Sequence, residues 1–312
     1  MKHLFQSTGS LVRRLTVLAM VALFAGCSQS TNTNARDTTT SGSIHISVDE
    51  SFRPIIDSQI KVFEASFPKA KIIAHYKPEA ECLRDLAHDS TRLVIITRSL
   101  TRNEEDFYKD SIRYVPIMGL LAYDAVTAIV NRKSPDSIFS MDDIREILAG
   151  TSSYKLRPVL DGLSATSTVR YVIDSVLRGQ TVGKNVTAAR SSQGVIDYVA
   201  ENPDAIGFIG VSWIGNKEDT NHVSFLQKVN IASIQCGICS IETYVKPYQA
   251  NIAFKRYPMV RGLHYILKEN YGGLGSGFVN FLEGERGQLI FRRAYLWPAR
   301  IPLSQRDVEI SE

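Results

Sequence analysis

The chain has 312 residues, 44% of them hydrophobic and 22% charged, which are globular proportions and exclude disorder, a collagen repeat or a coiled coil as whole-chain readings. That length is more than one core fills easily and suits two lobes. The formal charge is +4, but Lys2, Arg13 and Arg14 lie in an acid-free leader, and without them 33 basic residues face 32 acidic ones, so nothing electrostatic points to nucleic acid.

Those three cations precede the apolar run Leu15–Ala25, which has the length of a secretory signal core and is too short to span a membrane. The run ends in Ala25-Gly26-Cys27, which resembles the bacterial lipobox, where the cysteine is diacylated; Phe24 stands where that pattern prefers Leu. Residues 1–27 therefore read as a lipoprotein signal peptide with Cys27 as the lipidation site. Residues 28–43 hold no aliphatic side chain larger than Ala35 and read as a flexible tether. Anchor, tether and body together predict a lipid-anchored protein of the bacterial cell envelope, facing the periplasm.

From Ser43 onward strand and helix patterns alternate. Ile44–Val48 has the period of a half-buried strand, and Ile55, Ile56, Ile60, Val62, Phe63 and Phe67 then recur at helical spacing until Pro68. Lys71–His75 predicts a second strand, Glu79–His88 a helix with Cys82, Leu83 and Leu86 inward, and Leu93–Ile96 a strand buried on both faces. This rhythm argues a parallel sheet flanked by helices. Val115–Val130 looks too long for one strand and reads as a crossover into a second lobe. Within that lobe Met141–Leu148 predicts a helix stopped at Gly150, Arg157–Leu160 a strand, Val169–Leu177 and Gly194–Ala200 helices, and Ala205–Ile209 a buried strand. An extended segment at Ala250–Arg256 is expected to carry the chain back, with Phe278–Leu282 and Gln288–Tyr295 closing the first lobe. The lobes are thus 44–121 with 251–312, and 122–250, with a ligand cleft between them.

Chemistry concentrates at three loops. Leu160–Arg170 runs from a strand through small hydroxyl residues into a helix, so Thr166, Ser167 and Thr168 can cap it or donate to an anion, and Arg170 can add a bidentate charge. Ser51 and Phe52 lie between a strand and a helix of the other lobe, and Thr97 and Arg98 follow its third strand. Cys236 and Cys239 form a C-x-x-C without the strand-then-helix context of a redox motif, and only His222 is near enough in sequence to suggest zinc, so incidental or structural cysteines, bridged or not, are expected. The sequence contains no H-E-x-x-H, G-x-S-x-G or Walker A motif, and neither a cofactor nor a metal is expected.

From Gly42 to Ile310 the chain resembles the PstS-like phosphate-binding proteins of bacterial ABC transporters, within the type II periplasmic binding proteins. The resemblance is carried by Val48-Asp49-Glu50-Ser51-Phe52, Leu93–Leu100, Met141–Gly150, Ser167-Thr168-Val169-Arg170, Ala205–Gly210, Tyr257-Pro258-Met259-Val260-Arg261 and Gly287–Ile290, in that order. It implies an α/β, two-lobed type II periplasmic-binding-protein fold of mixed sheets. It also implies that Ser51, Phe52, Thr97, Arg98, Thr166, Ser167, Thr168 and Arg170 ligate phosphate or a related oxyanion. The family's serine after the second strand falls near Ala80, which has no hydroxyl, and its arginine before the site helix falls near Gly162. Arg98 replaces the aspartate that accepts the ligand's proton, so either Glu50, Asp161, Glu79 or Glu81 supplies the acceptor, or discrimination against sulfate is weaker, or the ligand differs. The expected function is capture of phosphate by a monomer for delivery to a membrane permease and its ATPase. The alternatives are a sensory or interaction lipoprotein that has lost the site, and a phosphatase-like hydrolase.

Overall fold

The computed structural model describes residues 37–88, 90–162, 165–215 and 220–300. The signal segment with Cys27, the loop residues Leu163 and Ser164, and the side chain of His222 lie outside the described residues. The body opens with β1 (Gly42–Asp49), whose inward positions Ile44, Ile46 and Val48 are buried, followed by helix α1 (Arg53–Ser66). Pro54 sits in the first turn of α1, where its missing N–H costs nothing, and Pro68 follows its end. Next come β2 (Ala70–Lys77), α2 (Glu79–Leu86) and β3 (Thr91–Ile96), which build a parallel set in the order β2-β1-β3. Cys82 and Leu86 are fully buried, and Cys82 is a free thiol whose pKa burial pushes up.

Helix α3 (Arg102–Ile112) exposes most of its length and buries only Tyr108, so apolar periodicity does not disclose it. Its start is fixed by a capping box between Thr101 and Glu104. The segment expected to be a crossover is one strand, β4 (Ile117–Asn131), 15 residues long. Its first part pairs with β12 (Val260–Leu267) and β13 (Trp297–Pro298), and from Val126 onward it pairs with β8 (Ala205–Gly210) and β9 (Val229–Ile231). A single strand can be that long because it serves two half-sheets in turn. The second half continues from β8 to β6 (Arg157–Leu160) and β7 (Thr187–Ala188), all parallel. The result is a mixed sheet in the order β2-β1-β3-β12-β4-β8-β6-β7, with helices on its faces.

Helix α4 (Met141–Ala149) ends as expected at Gly150, which takes the left-handed conformation at φ 78°. The expected helix at Val169–Leu177 divides in two. Helix α5 (Ser167–Tyr171) gives way to a wider turn over Val172–Val176, where the Leu177 amide donates to the Val172 carbonyl. Helix α6 (Ser192–Glu201) packs on β8, and α7 (Thr220–Lys228) leads into β9.

Two expectations need correction. Ala250–Arg256 is not extended, because Gln249–Ala253 forms a short helix, α8, and the return strand is β12. Residues 37–43 are not free tether. Asp37 takes both terminal nitrogens of Arg92 at 2.9 Å and the Leu274 amide, and Gly42 already belongs to β1. Helices α9 (Leu274–Glu283) and α10 (Glu285–Arg293) cover β1 and α1, burying Phe278 and Phe291. A small separate sheet joins β5 (Ile138–Phe139), β10 (Ser233–Gln235) and β11 (Tyr244–Val245), and the Cys236–Cys239 disulfide lies in the β10–β11 connection.

Candidate functional site

Where β1, β6 and β8 end, the two half-sheets bring their loops together. Asp49 ends β1, and its Oδ1 accepts the Ser51 amide at 2.9 Å, which turns the chain so that the Ser51 side chain points across to the other half. The Ser51 hydroxyl donates to Asp161 Oδ2 and lies 3.3 Å from the Ser167 hydroxyl. The Ser51 carbonyl accepts from Trp213 Nε1 at 2.8 Å and from the Ser212 hydroxyl. Asp161, one residue past β6, also takes the hydroxyls of Thr166 at 2.9 Å and Thr168 at 3.1 Å. Thr166 additionally caps α5 through the Val169 amide. All of these side chains are buried.

A guanidinium not among the expected site residues anchors the cluster. Arg261, the second residue of β12, is buried and donates from Nε to Asp124 Oδ2 at 2.8 Å and from Nη1 to the Ser167 hydroxyl at 3.0 Å. Phe52, fully buried, places its ring 5.1 Å from the guanidinium carbon. Gly210 makes room for this contact, since a Cβ there would stand 3.3 Å from Arg261 Nη2 and 3.4 Å from the Ser51 carbonyl.

Two buried polar atoms of this cluster have no hydrogen-bond partner, Arg261 Nη2 and Asp49 Oδ2. One can only donate and the other accepts when ionised, and each costs about 1–3 kcal/mol while unmet.

Charge in the cluster is unbalanced, with Asp49, Asp124 and Asp161 against Arg261. Burial raises the pKa of all three carboxyls, and Asp49 is pushed up to about 7, with the charge of Glu79 adding to the effect and that of Arg261 opposing it.

The remaining expected residues form a second group. The Thr97 hydroxyl donates to Glu79 Oε2 at 2.5 Å, and Arg170 reaches Glu79 from Nε at 3.0 Å and Thr97 from Nη2 at 2.7 Å. Arg98 lies 3.8 Å from Glu79, but its terminal nitrogens are committed to Glu104 at 2.7 and 2.8 Å, and those hydrogen bonds hold the Glu104 pKa down at about 2. Of the eight expected residues, Ser51, Thr166 and Thr168 bond Asp161, Ser167 and Phe52 meet Arg261, and Thr97, Arg170 and Arg98 gather at Glu79, Arg98 being shared with the α3 cap. Of the candidate acceptors, Glu50 is held by the amide and hydroxyl of Ser192 at the start of α6, and Glu81 pairs with Arg84. Asp49 was not among them.

Between the groups lies a chamber of about 300 Å³. Its aliphatic walls are Ala80 and Leu83 of α2 and Ala165, Val169 and Ile173 of the facing half. Thr166 is shared with the buried cluster, and Glu79, Arg98, Arg170 and Asp174 complete the lining. The halves touch here, where the Ala80 amide donates to the carbonyl of Ala165, a residue held at φ 70°. Among the described residues no group of three or more His, Cys, Asp or Glu is placed to hold a metal, and no helix is long and apolar enough to cross a membrane.

No curated protein matches the chain. Among solved structures, one from Clostridium perfringens, named as a phosphate ABC transporter substrate-binding protein with bound phosphate, superposes with a TM-score of 0.69 at 18% identity, covering 83% of this chain and 100% of that one. An ABC-type phosphate transport receptor from Vibrio cholerae gives 0.59 at 18% identity over 82% and 100%. A substrate-binding domain named for a molybdenum ABC transporter from Clostridium difficile gives 0.50 at 13% identity over 83% and 99%. At these identities the likeness is one of fold. The model of the PBP superfamily domain matches residues 33–286, most of the chain, and the chain therefore belongs to the PBP superfamily.

Proposed function

We propose that this protein captures phosphate or a closely related oxyanion between its two halves and hands it to an ABC permease. The observation that carries the reading is the buried orphan pair, Arg261 Nη2 and Asp49 Oδ2, in a cluster of hydroxyl donors drawn from both half-sheets. A protonated phosphate supplies an acceptor oxygen for one orphan and an O–H donor for the other. Ser51, Thr166 and Thr168 are the hydroxyls that exchange their bonds to Asp161 for bonds to the ligand, Ser167 turns to it from Arg261, and Phe52 is a wall. Thr97, Arg98 and Arg170 form the outer group around Glu79. Solved relatives named for phosphate transport support the same ligand class.

The lobes are proposed as 44–121 with 251–312, and 122–250. The change of partners along β4 between Ala125 and Val126 supports that division. Ligand contacts made from both lobes favour the closed state, so binding and closure are one event. Binding is proposed without turnover, as a monomer, with closed protein presented to a permease driven by a separate ATPase. The leader and Cys27 support an envelope protein held by a lipid anchor on the periplasmic side, and the intact mass of the envelope-extracted chain reads the acyl chains directly.

Calorimetric titration tests the site. The full-length chain, stripped by unfolding and refolding, is expected to bind phosphate one-to-one. Arg261→Gln is expected to weaken that binding at least a hundredfold and Thr168→Ala about tenfold, in keeping with about 1–3 kcal/mol for a charge-assisted hydrogen bond. Affinity unchanged in Arg261→Gln removes the orphan pair from the site.

A further inference from the structure

We propose that the cleft accepts an oxyanion bearing an uncharged carbon substituent, such as an alkyl or aryl phosphonate or a phosphate monoester, with the substituent in the chamber beside the buried cluster. The proposal rests on the oxyanion reading above and adds the class of ligand.

A bare, strongly hydrated anion has no use for aliphatic walls. Yet Ala80, Leu83, Ala165, Val169 and Ile173 line an open pocket of about 300 Å³ directly beside the donors, with Thr166 forming the shared wall and Ala80 and Ala165 exposed to solvent. The walls come from both halves, so a substituent held there is gripped by the same closure that grips the anion. The volume is ample, since an aliphatic cavity of about 150 Å³ already admits benzene.

The charges in the lining also point to a neutral group. Glu79 and Asp174 face Arg98 and Arg170, two of each sign. Arg170 is held by Glu79 and, at 3.5 Å, by Asp174, while Arg98 is held by Glu104. No guanidinium in the chamber is left to attract a second anionic group on the ligand, so a sugar bisphosphate or a carboxylated phosphonate is disfavoured. Burying apolar substituent carbon there is worth about fourfold in affinity per methylene.

The test is a calorimetric comparison of inorganic phosphate, methylphosphonate and phenylphosphonate on the full-length protein. The expected result is that phenylphosphonate binds at least tenfold more tightly than methylphosphonate. Ala80→Phe and Leu83→Phe, which fill the chamber from α2, should each abolish that advantage while leaving phosphate within threefold. Ala80 is exposed, so its replacement should not disturb folding. If phosphate binds but phenylphosphonate does not, or if the two phosphonates bind equally, the chamber holds no substituent and this proposal fails alone. It also fails if the phenyl advantage survives both fillings, or if both fillings abolish phosphate binding. If none of the three anions binds, the oxyanion reading fails with it.

Discussion

Asp49 is the residue on which the proposed selectivity turns. Burial holds its pKa near 7, so in the free protein the carboxyl is neutral below that pH and ionised above it. An anion settling beside it requires one proton between Asp49 Oδ2 and the facing ligand oxygen. Phosphate can bring that proton, whereas sulfate cannot and depends on Asp49 to hold it. Sulfate affinity should therefore fall by up to about tenfold per pH unit above 7, and phosphate affinity should fall less. Competition titrations at pH 6 and pH 8 should show the phosphate-over-sulfate ratio rising with pH in the wild type and staying flat in Asp49→Asn. A ratio equally pH-dependent in Asp49→Asn would move the proton acceptor elsewhere. The same shift has a sign for stability. Because the folded pKa lies above the model-peptide value, the folded state binds more protons between about pH 4 and 7, and stability is lost as pH rises through that window.

At the scale of elements, what was legible followed apolar pattern and caps. The alternating Ile44–Val48, the apolar Leu93–Ile96 and the Gly150 stop all gave their elements correctly. The return strand β12 was missed for a physical reason that also hid the site. Its inward face is Arg261, Leu263 and Tyr265, so a charge stands where the strand period calls for an apolar residue. An arginine can be buried there only because Asp124 on the neighbouring strand meets it. A buried ion pair between two core strands is not visible in one sequence, since each partner reads as a surface residue. Arg98 lines the chamber, but its bonds to Glu104 were not legible, because apolar periodicity does not disclose the helix whose N3 residue Glu104 is.

The disulfide belongs to this scale as well. It closes only the short Cys236–Cys239 loop in the β10–β11 connection. Loop-closure entropy for so small a ring is about 2 kcal/mol. The double replacement Cys236→Ser with Cys239→Ser should lower the unfolding free energy by about that amount or less in denaturant melts, with phosphate affinity unchanged. A loss of phosphate binding would tie the hairpin to the cleft.

For the whole molecule, the sheet explains why one long strand out and one strand back suffice. β4 passes from one half-sheet to the other, β12 returns beside it, and the ligand-facing loops hang from strand ends on both sides of that seam. In the proposed closure internal bonds are swapped for ligand bonds, since Asp161 and Glu79 hold the donors here. The two-lobed plan was readable from length and rhythm. Which residues meet across the seam was not, because pairs such as Glu50 with Ser192 and Ser51 with Asp161 lie over a hundred positions apart. The central claim is that a protonated oxyanion bridges Arg261 and Asp49, and the most direct measurement is phosphate titration at pH 8 with sulfate present in hundredfold excess. One-to-one phosphate binding that survives the sulfate is the predicted result, and silence, or displacement by sulfate at equal concentration, would contradict it.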